Sequence, residues 1–279
     1  MRFVFFLIPA MLSAAELNID HVTVAGAELK TMQANLASIG IKSEYGGPHS
    51  NHATEMAITS FPDGSYLELI AIQHDAVAAA LNAHYWKKYM RGNAGPCAWA
   101  VRAEDLSAEL KRLKTVDVKV GDAQRSGRQK PDGTKLEWET ANVGPGPNGG
   151  FFPFIIHDFT PRENRAFVAG HPTTTEYRGV TRVVIAVNDL KEGIERYRKA
   201  YGLAAPVETR DQALGARLAV FEGSPVVLAT PFKAALVADR IEKFGEGPCA
   251  FVLGKAGRKA GWKVEWFNTG KLQWHLGVE

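Results

Sequence analysis

Ile19-Asp20-His21-Val22-Thr23-Val24-Ala25-Gly26 alternates apolar with polar residues and then runs into Leu29, Met32, Leu36 and Ile39 at helical spacing. A strand leading into a helix is expected. The same design returns at Val180-Thr181-Arg182-Val183-Val184-Ile185-Ala186-Val187. There Asn188 or Asp189 is placed to cap a helix carrying Leu190, Ile194, Tyr197 and Tyr201 on one face, with Gly202 at its C-terminal end. His21 and Arg182 are equivalent positions in this alignment. Gly95-Pro96-Cys97-Ala98-Trp99 likewise reappears as Gly247-Pro248-Cys249-Ala250-Phe251, so the two cysteines are repeat-equivalent too. Both pairs fall in order at similar spacings, which predicts one long unit duplicated with modest trimming.

Each long unit divides again. In the first, the strand and helix lead to Glu55–Ser60, the turn Pro62-Asp63-Gly64 and Tyr66–Ile70, a β-hairpin with turn chemistry at its tip. From Cys97 the pattern repeats: strand, a helix with Leu106, Leu110 and Leu113, then a hairpin from Arg125 through Pro131-Asp132-Gly133 to Leu136-Glu137-Trp138-Glu139. The Gly/Pro/Asn run 144–150 leads to a last apolar strand, Phe151–Phe159. Each unit is therefore close to β-α-β-β-β. The Pro- and Thr-rich segment 161–177 reads as a linker, dividing the chain into a first half at 16–160 and a shortened second half at 178–279. The expected fold is α+β: repeated modules forming cupped mixed sheets with helices outside, in two tandem halves.

The chain has 279 residues, 46% hydrophobic and 23% charged, the composition of an ordinary globular protein. Its 33 Lys and Arg against 30 Asp and Glu give a formal charge of +3, scattered along the chain, without the basic footprint of a nucleic-acid partner. Two cysteines are too few for a disulfide scaffold or a multi-thiolate zinc site. Arg2, the apolar run Phe3–Leu12 and the small residues Ser13-Ala14-Ala15 read as a signal peptide cleaved near Ala15, giving an exported protein. That run is too short to span a bilayer, and no later stretch reaches the ~20 apolar residues spanning requires.

Paired β-α-β-β-β units resemble the vicinal oxygen chelate superfamily (glyoxalase, bleomycin resistance, extradiol dioxygenase), and more narrowly the glyoxalase-like domain family. The likeness rests on Asp20-His21-Val22, on Gly64 with Tyr66-Leu67-Glu68-Leu69-Ile70-Ala71, and on Arg128 through Pro131-Asp132-Gly133 to Leu136 and Trp138. It covers roughly residues 18–160. The second half matches only through its first strand, helix and Gly-Pro-Cys-Ala segment.

The resemblance implies a divalent metal held by a first-strand histidine and a last-strand glutamate, here His21 and Glu68. An imidazole and a carboxylate facing inward from one sheet suit Zn, Mn, Fe or Ni. Alternation leaves open whether Glu68 faces the cup or solvent. A third ligand is sought in His157, on the last apolar strand, or in His49 or His52, spaced His-x-x-His in a polar loop. The first strand of the second module offers only Ala98 and Trp99, and the second half has Arg182 and, near the glutamate position, Val227. Neither the four-ligand set of a glyoxalase I nor the His-His-Glu set of the extradiol dioxygenases is present. Arg128 and Lys130 are placed near the cup, where Arg128 is a candidate for an anionic substrate group; Trp138 and Trp99 are candidate substrate-lining residues, with Phe152 and Phe154.

Two functions follow as expectations. One is a metal-dependent lyase, isomerase or oxygenase for a small oxygen-bearing substrate, in which a metal polarises vicinal oxygens and a nearby carboxylate, Glu68, moves the proton. The other is a metal-free protein whose aromatic cup sequesters a small molecule.

Overall fold

The computed structural model describes residues 15–130, 132–255, 262–267 and 274–279. The signal-peptide reading therefore falls, apart from Ala15, outside the described residues. The first sheet contains β1 (Ile19–Ala25), β2 (Glu44–Pro48), β3 (Thr54–Ser60), β4 (Tyr66–Ile72), β5 (Gly95–Arg102), β6 (Gln124–Gln129), β7 (Lys135–Ala141) and β8 (Phe154–Asp158). Their order is β2-β3-β4-β1-β5-β8-β7-β6. The helices of this half are α1 (Leu29–Ala37), α2 (Ala78–Ala83), α3 (Lys87–Arg91) and α4 (Leu106–Thr115), and α5 (Arg162–Ala166) follows β8. The second sheet contains β9 (Tyr177–Ala186), β10 (Val207–Asp211), β11 (Ala216–Val220), β12 (Val226–Pro231), β13 (Gly247–Lys255), β14 (Glu265–Trp266) and β15 (His275–Val278), in the order β10-β11-β12-β9-β13-β15-β14, with α6 (Leu190–Tyr201) and α7 (Leu236–Phe244).

Every module pairs its first strand parallel with its last: β1 with β4, β5 with β8, β9 with β12, β13 with β15. Modules then join in twos through the antiparallel pairs β1–β5 and β9–β13. The two joints share one register. Thr23, Val24 and Ala25 face Ala98, Pro96 and Gly95, while Val184, Ile185 and Ala186 face Ala250, Pro248 and Gly247. Cys97 and Cys249 are thus each the extra residue of a bulge at the same place, and both are buried free thiols. A second bulge leaves Asp20 as the extra residue on β1 and Thr181 as its counterpart on β9. In the fourth module the place of the crossover helix falls partly on 256–261, outside the described residues.

Local chemistry sets the helices. Asp105 caps α4 by accepting from the Ala108 N–H, and Asp189, rather than Asn188, caps α6 by accepting from the Glu192 N–H. Gly202 ends α6 in the left-handed region at φ 65°, where a Cβ would be strained. Leu29, Met32 and Leu36 of α1, Leu106, Leu110 and Leu113 of α4, and Leu190, Tyr197 and Tyr201 of α6 pack on one face of the sheets against Val22, Val24, Trp99, Val183, Ile185 and Phe251. One core thereby runs through both halves, and the opposite face of the first sheet is left to form the cup.

Tyr197 fastens that core. It is fully buried, packs on Phe151, Phe152 and Phe221, and donates its hydroxyl to the Phe151 carbonyl oxygen. Tyr197→Ala is expected to cost about 3–5 kcal/mol, the range for emptying a large buried aromatic site. Tyr197→Phe should cost only about 1 kcal/mol for the lost hydrogen bond. Denaturant unfolding of the three proteins checks the order.

Candidate functional site

A cavity of about 280 Å³ opens on the cup face of the first sheet. Tyr66, Glu68 and Ile70 reach it from β4 by alternation, with Leu67 and Leu69 turned into the core. Glu68 therefore points into the cup, and its side chain is only 13% exposed. His21 enters from β1, Phe154 and Ile156 from β8, Trp138 and Thr140 from β7, and Arg128 from β6.

The imidazole of His21 is held on every side. Tyr66 stacks on it with centroids 4.8 Å apart, and Phe154 meets it edge-on at 5.3 Å. Its Nδ1 lies 2.6 Å from Asp20 Oδ1. The bulge at Asp20 brings these consecutive side chains together, where an unbroken strand would send them to opposite faces. Asp20 is fully buried, and burial alone would raise its pKa; Arg165 and His21 overcome this and hold it well below the usual carboxylate range. Arg165 donates to both Asp20 oxygens at 2.9 Å and to both Asp158 oxygens at 2.6 Å, and reaches the Tyr66 hydroxyl at 2.6 Å. Arg162 adds a bond to Asp20 Oδ2 at 2.9 Å. Because an ionised Asp20 can only accept, His21 Nδ1 carries a proton, and Nε2 is the nitrogen turned to the cup, 3.8 Å from Glu68 Oε2.

A second imidazole approaches the other carboxylate oxygen: His49 Nε2 is 3.5 Å from Glu68 Oε1. Its Nδ1 sits 2.7 Å from the Thr54 hydroxyl, and Asn51 donates its amide N–H to that same hydroxyl at 3.1 Å. Burial raises the pKa of Glu68, but the hydrogen bond to His49, the charges of His21 and His49 and the Thr23 hydroxyl at 3.1 Å bring it down to about 2. His84, from the turn after α2, also lines the cup; its Nδ1 accepts from the Trp86 N–H at 3.2 Å, and burial lowers its pKa, favouring the neutral ring.

Several expected site residues stand elsewhere. His157 follows Ile156, which faces the cup, so alternation turns it to the other side, where Nδ1 lies 3.0 Å from the Ala103 carbonyl oxygen. Trp99 is fully buried in the shared core between the cup-facing Ala98 and Ala100. Phe152 precedes β8 and packs on Tyr197 and Tyr201. His52 is exposed and outside the cup. The segment 161–177, read as a linker, carries α5 and with it Arg162 and Arg165. Arg128 and Trp138 do line the cup, and Arg128 donates to the Gly46 carbonyl oxygen at 2.6 Å.

A family model for the glyoxalase-like domain matches residues 19–201. This chain belongs to the glyoxalase-like domain family. No curated protein sequence matches it. Among solved structures, a hypothetical protein from Staphylococcus aureus is similar to this glyoxalase-like chain at TM-score 0.67 and 12% identity, over 94% of this chain and 99% of that one. A xylose isomerase-like TIM barrel/4-hydroxyphenylpyruvate dioxygenase fusion protein is similar at TM-score 0.50 and 15% identity, over 89% of this chain and 38% of that one. A methylmalonyl-CoA epimerase from Mycobacterium tuberculosis aligns at TM-score 0.36 and 18% identity over 56% of this chain and 97% of that one. The first two likenesses are of fold.

The glyoxalase-like cup offers a divalent ion two imidazoles and one carboxylate, each ring oriented by an outer hydrogen bond at Nδ1, a donor set whose chemistry fits. Among the described residues no three His, Cys, Asp or Glu side chains are gathered tightly enough to hold an ion as they stand. His21 and His49 approach different oxygens of Glu68 at separations somewhat longer than the about 3.4 Å between two ligands of a tetrahedral ion, so ligation requires the rings to draw in.

Removing Arg165 tests the buried network. Arg165→Met leaves the Asp20 charge poorly compensated and is expected to cost roughly 3–5 kcal/mol at neutral pH. In the wild type the depressed pKa of Asp20 contributes stability that is present above its unfolded value of about 3.9 and lost as pH falls through the folded value. In the variant, burial raises that pKa, so the penalty is relieved as pH falls. Unfolding free energies measured from pH 7 to pH 3 should therefore converge on acidification; a constant gap would contradict the network.

Proposed function

We propose that the chain is a divalent-metal-dependent glyoxalase-like enzyme acting on a small oxygen-bearing substrate. One observation carries this: His21 Nε2 and His49 Nε2 approach the two oxygens of Glu68 inside a cup lined by Trp138, Phe154 and Ile156. His21, His49 and Glu68 are the residues that would hold the ion, and when bound it would act as a Lewis acid toward substrate oxygens. Asp20 holds a proton on His21 Nδ1 and so leaves Nε2 as the nitrogen that would meet the ion. Arg128 takes an anionic group of the substrate, while the aromatic and aliphatic walls exclude water. With a pKa of about 2, Glu68 is too weak a base to remove a proton at neutral pH and serves as an anionic donor. His84, neutral and with its Nδ1 occupied, presents an Nε2–H suited to hydrogen-bonding a substrate oxygen.

A sequestering protein is the second reading. It is favoured by the apolar Ala98, Ala100, Phe154 and Ile156, which occupy the second module's share of the cup. Metal analysis of the purified chain, after chelation and reloading, separates the two. The enzyme reading expects about one divalent ion per chain, with His21→Ala and Glu68→Gln each weakening its affinity by more than the roughly 10- to 100-fold lost when an outer-shell partner is removed. No stoichiometric ion, together with tryptophan quenching by small aromatic ligands that survives His21→Ala, would favour sequestration.

We propose further that the chain is exported. Arg2, the apolar run Phe3–Leu12 and Ser13-Ala14-Ala15 support this reading. N-terminal sequencing of the exported protein should begin near Glu16, and material beginning at Met1 would contradict it.

A further inference from the structure

A second cavity, about 340 Å³, lies where the two halves meet. It is separate from the cup and shares none of its lining. Arg102, at the end of β5, lines it from the first half, and Arg182, Arg178 and Lys255 line it from the second. Two of these guanidinium groups carry a buried N–H with no acceptor: Nε of Arg102 and one terminal nitrogen of Arg182. The Arg182 side chain is only 7% exposed, so water does not freely serve it.

One oxygen of each nearby carboxylate is already committed. Glu279 Oε2 accepts from Arg182 Nε at 2.9 Å, and Asp63 Oδ1 accepts from the backbone and hydroxyl of Ser65 at 2.7 Å. Four cations share the lining with the side-chain carboxylates of Asp63 and Glu279; Lys255 also has Glu176 at 3.9 Å, which leaves three guanidinium groups to those two carboxylates. A neutral acceptor would satisfy the orphaned N–H groups and leave the excess charge, whereas an oxyanion satisfies both. The repeat explains the room: Arg182 stands at the position of His21, and Pro225 stands at that of Tyr66, so no aromatic ring covers the guanidinium.

We propose that this cavity is a binding site for a small oxyanion, a phosphate or carboxylate group held between Arg102 of the first half and Arg182 of the second. An anion there would bridge the halves and stabilise the folded chain by mass action.

Calorimetric titration and thermal unfolding of the full chain, with sodium phosphate and separately with sodium malonate, test this against sodium chloride at matched ionic strength. Saturable binding of one phosphate or one malonate per chain is expected, with a rise in Tm that chloride does not give; which anion binds identifies the oxyanion class. Arg102→Met, at a half-buried position outside the cup, should weaken binding about tenfold or more. Arg128→Met, in the cup, should leave it unchanged. Lys255→Met, at an exposed position, gives a second variant with intact packing and should weaken binding by a smaller factor. The proposal is overturned if neither oxyanion binds beyond the chloride effect, if binding survives Arg102→Met undiminished, or if Arg128→Met abolishes it.

Discussion

The site depends on one buried carboxylate. Asp20 sits on a β-bulge with no solvent access, and two arginines from α5 keep it ionised. From this constraint the rest of the cup follows: an ionised Asp20 cannot donate, so His21 Nδ1 must, and the other imidazole nitrogen is directed toward Glu68. Arg165 extends the same network to Asp158 on β8 and Tyr66 on β4, and the Tyr66 ring in turn stacks on His21. Three strands of one cup are thus tied through a single guanidinium supplied by the segment that joins the halves.

Duplication explains why only one half carries this device. The central strand pairs of both halves have the same register and the same two bulges, so their backbones present side chains at matching places. At those places the second half has Thr181 for Asp20, Arg182 for His21 and Val227 for Glu68, which leaves no carboxylate–imidazole pair to gather. Arg182 instead pairs with Glu279, and the second sheet lends its core residues and its helix α6 to the packing shared by both halves.

The α+β fold was legible because periodicity survives duplication. Alternation around His21 and Arg182 and the two Gly-Pro-Cys-Ala segments located the central strands, and His21 and Glu68 emerged as cup residues from the likeness alone. Parity was the failure elsewhere: a one-residue uncertainty on β8 separates Ile156, which faces the cup, from His157, which does not, and the same shift on β5 sends Trp99 into the core. His49 reads from the sequence as a residue of a polar loop, and only the closed hairpin of β2 and β3 shows that it reaches Glu68. Arg165 gave no local signal, because its partner Asp20 is 145 residues away and its segment has the composition of a linker.

Asp20 fixes a proton on Nδ1 of His21 and so turns Nε2 to the cup. Nitrogen-15 NMR of the labelled imidazoles, assigned with a His21→Gln variant, reads it directly at neutral pH in metal-free protein. A proton on Nδ1 of His21 is the predicted result. A proton on Nε2 with a bare Nδ1 would contradict it.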